Sequence, residues 1–262
     1  KRQKPEAVAL LEEQRKRTDK ALAAYRDQRH GASGDTRFEA VLTGTDGRMD
    51  QLASQRRGVD GLETTVPVVL GWYSGAIRDF LRVSTEVIKV VDDGGAGLSL
   101  FTLQALMEAK ENAGQERATG NALVSSGVVE PARYRAFVEA LARENDRFVE
   151  FAALAQGTED VLAKRLNDAP TRQTVERLRA SLVGSIETGS FAGVTSPEWW
   201  AATTAWIDTL KGIEDELNAD ISRGSRTAAD AAWWGFLVHL AGGGLLLAIT
   251  ALIGFVVDRS IA

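Results

Sequence analysis

The chain of 262 residues contains no cysteine, which excludes disulfide bonds, thiolate metal sites and a cysteine nucleophile. Only two histidines are present, His30 and His239, so neither a histidine-rich zinc site nor a histidine-based catalytic dyad is expected. The formal net charge of -5 argues against general nucleic-acid binding. Proline is scarce, whereas alanine, leucine, glutamate and arginine are plentiful, and this composition predicts an all-α fold.

One long stretch has no charged side chain, and it covers the 27 residues from Ala231 to Val257. About 20 helical residues cross the hydrocarbon core of a bilayer, so this run is long enough to span a membrane. Trp233 and Trp234 lie at one end, where amphipathic rings favour the headgroup layer. The alternative is a buried helix of a soluble core, which residues 242–244, all glycine, would weaken. We predict a transmembrane helix over residues 231–257.

Breaks and helix-start signals divide the rest of the chain into helices. Pro67, Pro131 and Pro170 stand where a first turn is expected, and Ser196 is expected to cap the last helix. Residues 184–196 are rich in glycine and serine and predict a loop. The predicted helices cover residues 1–28, 35–57, 67–91, 98–123, 132–155, 157–167, 170–183 and 196–222.

The most informative pattern lies in the helix predicted to begin near residue 98. Positions spaced three and four residues apart place two cations on the stripe that begins with core leucines. The residues of this face are Leu103, Leu106, Lys110, Ala113 or Gly114, and Arg117. Gly114 leaves a gap beside the guanidinium of Arg117, and a buried arginine needs an anionic partner. That partner is either a carboxylate of the protein or a small planar oxyanion, which the five donors of arginine suit.

The first of these alternatives is a structural ion pair on a bundle helix, formed by Arg117 with Glu116 or Glu111 at its rim. A carboxylate bonded to Arg117, with no space near Gly114, would favour that interpretation. Neither the serines nor the carboxylates offer a nucleophile with a base, and the acidic pair at residues 92–93 lacks the spacing of a calcium loop. The sequence therefore predicts no enzyme, no metal site and no cofactor.

The stretch Lys110-Glu111-x-Ala113-Gly114-Gln115-Glu116-Arg117-Ala118 resembles the signature of the nitrate- and nitrite-sensing (NIT) domain of bacterial receptors. Further segments resemble the same family in the same order, and together they cover roughly residues 1–221. They are Gln14-Arg15-x-x-Thr18-Asp19-x-Ala21-Leu22, the segment from Tyr134 to Phe151, and Trp200-Ala201-Ala202-x-Thr204-x-x-Ile207-Asp208-x-Leu210-Lys211-x-Ile213-Glu214.

The resemblance implies an all-helical extracytoplasmic sensor of two stacked up-down bundles that binds nitrate or nitrite through arginines from several helices. Arg117 matches the signature arginine. A further family arginine matches either Arg177 or Arg179, which lie two residues apart and hence on different helix faces. The arginine-bearing first helix that is typical of the family does not precede Gln14, so we expect the chain to start just after it.

The end of the chain resembles the exit from a membrane span into a HAMP linker, with Asp258 and Arg259 following the apolar run. The expected organisation is a sensing domain over residues 1–226, a transmembrane helix over 231–257 and a HAMP-like linker from 258. The family resemblance implies a chemoreceptor or sensor kinase of the inner membrane, acting as a homodimer, with its helical domain outside the cytoplasm. The alternative is a membrane-anchored helical interaction or dimerisation module with no small ligand.

Overall fold

The computed structural model describes residues 5–29, 36–89, 91 and 94–224. Within these ranges the chain is helical and contains no β-strand, which confirms the all-α prediction. The helices are α1 (Pro5–Arg29), α2 (Thr36–Met49), α3 (Leu52–Asp60), α4 (Val66–Ile88), α5 (Gly94–Ser125), α6 (Pro131–Leu154), α7 (Thr158–Asn167), α8 (Pro170–Val183), α9 (Ser185–Thr188) and α10 (Ser196–Gly224).

Prolines define three of the helix starts, as the sequence predicts. Pro67, Pro131 and Pro170 each occupy the first turn of α4, α6 and α8, where the missing N–H of proline removes no helical hydrogen bond. Gly189 follows α9 with a left-handed φ of 66°, a conformation that glycine adopts without steric strain.

Three local predictions are wrong. The helix predicted over 35–57 is two helices, because the N–H of Gln51 bonds the carbonyl of Arg48 three residues earlier and this tight turn interrupts the helical ladder. The loop predicted over 184–196 contains the short helix α9. The cap of α10 is Thr195 instead of Ser196, since the N–H of Glu198 donates to the Thr195 hydroxyl at 3.3 Å.

The described residues divide into two compact units, one formed by those up to residue 97 together with 222–224 and the other by residues 98–221. In the first unit, α1 and α4 meet through aromatic side chains. The rings of Tyr25 and Phe80 pack edge to face with centroids 5.2 Å apart, and both are almost fully buried.

The second unit contains the candidate site and has an aromatic core. Trp199 and Trp206 of α10 are its largest fully buried side chains. The ring of Trp199 packs edge to face against Phe137 of α6, with the ring centroids 5.6 Å apart. The ring centroid of Trp206 lies 6.1 Å from that of Phe148, which also belongs to α6. Leu182 of α8 belongs to the cluster around Trp199, so α6, α8 and α10 share one apolar core.

The membrane-span prediction concerns residues that lie outside the described ranges, because these end at 224. Among the helices of the described part, none combines the length and apolarity that a membrane crossing requires.

Candidate anion site at Arg117

Arg117 lies in the interior of α5 and points its guanidinium at α10. It is 3% exposed, and its Nη1 donates to the Thr204 hydroxyl at 2.7 Å. The guanidinium carbon stacks 4.6 Å from the ring centre of Trp200, a cation–π contact. Among the described residues, Arg117 forms no ion pair with a carboxylate, and its buried Nε has no hydrogen-bond acceptor. The two groups that contact this guanidinium, the Thr204 hydroxyl and the Trp200 ring, are therefore both neutral.

The electrostatics of Arg117 follow from this environment. Burial lowers the pKa of Arg117 to about 9, and the charge of the exposed Asp208 raises it only in part. The side chain is therefore still protonated at neutral pH. A buried charge without a counter-charge costs several kcal/mol or more, on the order of a buried pair that has lost one partner. A small anion would offset that cost.

Gly114 lies three residues before Arg117 on α5, and the space beside it is open. A Cβ built on Gly114 would meet no neighbouring heavy atom within 4 Å. Gly120, three residues after Arg117, is the opposite case, because a Cβ there would lie 2.5 Å from the indole of Trp199. The same indole donates from Nε1 to the Arg117 carbonyl at 3.0 Å, so the close contact at Gly120 positions the main chain of the arginine.

Arg179 is buried like Arg117 but is surrounded by carboxylates. Its Nε donates to Glu116 at 2.9 Å and Nη2 donates to the second oxygen of the same carboxylate. Nη1 donates to Glu176 at 2.9 Å, and Glu144 lies 3.2 Å from Nη2. Burial alone would lower the pKa of Arg179, but Glu116 and Glu144 raise it overall. The donors of Arg179 are thus directed at protein carboxylates.

The cluster around Arg179 contains more carboxylates than cations, and this excess of negative charge affects the pKa of Glu116. Burial raises the pKa of Glu116 to about 7, opposed by Arg179 and reinforced by Glu144. Trp206 supports the cluster by donating from Nε1 to Glu144 at 2.9 Å. In the part of the chain that the structure describes, no group of three or more acidic or histidine side chains is placed to hold a metal ion.

Arg177 and Arg179 point in different directions, as their spacing requires. The Arg177 side chain is 67% exposed and lies 3.9 Å from Glu198. The structure brings Arg179 into the same core as Arg117 and leaves Arg177 at the surface. A role in ligand binding stays a prediction for Arg117, Gly114, Arg177 and Arg179.

Lys110, the other cation of the predicted stripe, is also buried but has a partner. Its Nζ donates to Glu214 of α10, and burial lowers the pKa of Lys110 against the opposing effect of that carboxylate. The two carboxylates considered as partners of Arg117 bond elsewhere. Glu116 accepts from Arg179, and Glu111 accepts from Gln115 at 2.8 Å.

Sequence alone does not predict Thr204 and Trp200 as neighbours of Arg117, since nothing in local spacing links residues more than 80 positions apart. For Glu144 a signal was available. It occupies a position of the buried α6 face whose other members are apolar, namely Phe137, Ala140, Phe148 and Phe151. A carboxylate at such a position indicates a buried cation on a neighbouring helix.

These features define an all-α protein whose core, over the residues that the structure describes, holds Arg179 paired with carboxylates and Arg117 without a carboxylate partner. Residues 2–222 match the family described as "Nitrate and nitrite sensing", and the chain belongs to this family.

The chain is also similar to the nitrate regulatory protein of Klebsiella oxytoca. The two are 28% identical over 183 residues, which represent 70% of this chain and 44% of that protein. The chain therefore matches less than half the length of this curated relative. No solved structure matches the chain.

Proposed function

We propose that this chain is the sensory region of a bacterial transmembrane receptor and that it binds nitrate, nitrite or a similar small oxyanion at Arg117. The single observation that carries the proposal is the buried guanidinium of Arg117, which has no carboxylate partner among the described residues. The family match and the name of the relative, a nitrate regulatory protein, support the choice of ligand.

The chemistry of the site favours a small monovalent anion. One buried positive charge balances one negative charge, whereas a divalent anion would leave a net negative charge in a place of low dielectric. The guanidinium presents its donors in a plane, which matches the oxygens of a planar oxyanion. A Cβ at Gly114, three residues before Arg117 on α5, would meet no heavy atom within 4 Å, and we propose that this open space admits the anion.

The proposed signal passes from Arg117 to α10. Thr204 and Trp200, which contact the guanidinium, both belong to this helix, and α10 continues to Gly224. We propose that an anion shifts α10 and that two stacked bundles and a span over residues 231–257 pass this shift across the inner membrane. Such a shift requires that the anion bind two helix arrangements with unequal affinity. The proposed receptor is a homodimer that controls a kinase or chemotaxis and is not itself an enzyme.

Isothermal titration calorimetry of the 262-residue chain with sodium nitrate and sodium nitrite, against sodium chloride at equal ionic strength, tests the proposal. We expect binding by the wild-type chain and at least tenfold weaker binding by Arg117→Gln, because the variant removes the buried charge. Arg135→Gln, which removes an exposed arginine of α6, is the matched control and should bind like the wild type. Absence of binding, or equal binding by Arg117→Gln, would refute the proposal.

A further inference from the structure

Thr204 differs from the other threonines in the interior of the described helices in how its hydroxyl is used. Thr102, Thr119, Thr203 and Thr209 each donate their hydroxyl proton to the main-chain carbonyl four residues earlier. This local bond is the usual arrangement for threonine within a helix. Thr204 makes no such bond in the described part of the chain, where its one hydrogen bond is the one to Arg117.

The direction of that bond follows from the chemistry of arginine. A guanidinium is a donor only, so the Thr204 oxygen must be the acceptor. A hydroxyl that accepts through its oxygen still has one proton to donate. Among the described residues no acceptor receives this proton, and the half-buried Thr204 therefore presents a donor directly beside the cation.

We infer that Thr204 is a ligand residue whose hydroxyl donates to the anion held by Arg117. The inference rests on the proposed function and extends it, because it assigns a second contact on a second helix. Two donors then converge from α5 and α10, with the ring of Trp200 closing one face of the guanidinium. The hydroxyl makes α10 part of the ligand shell.

The test compares variants of Thr204 in nitrate titrations of the full 262-residue chain. Thr204→Val keeps the shape of the side chain but removes the hydroxyl, and we expect about tenfold weaker nitrate binding, as for a lost hydrogen bond to a charged group. Thr204→Ser restores the donor and should bind within about threefold of the wild type. Thr204→Ala also lacks the hydroxyl but needs less space, so it should repeat the loss seen with valine.

Thr209→Val is the matched control, because it removes a hydroxyl from the same helix that donates to the Ala205 carbonyl. It should leave nitrate affinity unchanged, and circular dichroism should show that all variants are folded. Wild-type affinity in Thr204→Val and Thr204→Ala, together with loss in Arg117→Gln, would overturn the assignment of Thr204 and leave the proposed function intact. No binding by the wild type would overturn the proposed function itself.

Discussion

Gly120 offers a sharp test of how the core around Arg117 is packed. In Gly120→Ala the new methyl group would lie 2.5 Å from two carbons of the Trp199 ring and 2.7 Å from its Nε1. Non-bonded carbons prefer separations of about 3.5–4.0 Å, so the ring must move by about 1 Å. Trp199 has no free volume in which to move, because it is fully buried and packs against Phe137.

The expected loss of folding stability in Gly120→Ala follows from three effects. Overpacking a core costs about 1–3 kcal/mol. Moving the indole also strains or breaks the hydrogen bond from Nε1 to the Arg117 carbonyl, which contributes about 1 kcal/mol. Alanine regains about 1 kcal/mol over glycine in a helix interior. We therefore expect a net destabilisation of about 2 kcal/mol and a fall in the midpoint of thermal unfolding of about 4–8 °C.

Thermal and urea unfolding followed by circular dichroism measure this effect. Gly212→Ala in α10 is the matched control, since a Cβ at this exposed position meets no atom within 4 Å. It should be as stable as the wild type or more stable by up to about 1 kcal/mol, from helix propensity alone. If Gly120→Ala proved as stable as Gly212→Ala, the close packing of α10 on α5 at Trp199 would be refuted.

Two further predictions concern charges near the site. The folded chain holds on Glu116 a proton that the unfolded chain releases near pH 4.5, so the free energy of unfolding should fall as the pH rises from there towards about 7. Glu116→Gln should flatten this fall in urea titrations at several pH values, and an unchanged slope would contradict the raised pKa. Asp208→Asn removes a negative charge near Arg117 and should strengthen nitrate binding about threefold in calorimetry at low salt. The gain should shrink at high salt, where exposed charges are screened, and a loss of affinity would contradict it.

Local sequence signals account for most of the helices. The first-turn prolines of α4, α6 and α8 and the apolar periodicity of α5 predict these elements because both signals act within a few residues. The break between α2 and α3 escaped prediction, since the tight turn at Gln51 contains neither glycine nor proline. The glycines before it, Gly44 and Gly47, lie within α2 and do not end it.

The candidate site, like the helices, could be predicted from the sequence only in part. The burial of Arg117 follows from its position on the stripe of core leucines, and the open space at Gly114 follows from the missing side chain. The partners of the buried cations could not be predicted, because Arg179 meets Glu116 across 63 residues and Arg117 meets Thr204 across 87. Helical periodicity determines which face of a helix is buried and carries no information about which neighbour covers it.

Glu116 and Arg117 are adjacent in α5, and for this reason they contact two different helices. Consecutive residues of a helix point about 100° apart, since one turn takes 3.6 residues. Glu116 therefore meets α8 through Arg179, whereas Arg117 meets α10 through Thr204. The first contact is a buried ion pair, which costs several kcal/mol to break, and the second is a single hydrogen bond to a neutral group. Under the proposed function, an anion that bridges Arg117 and Thr204 acts on the weaker contact. Because Lys110 of α5 also pairs with the buried Glu214 of α10, these two helices stay joined there, and we propose that the anion moves α10 only around Thr204.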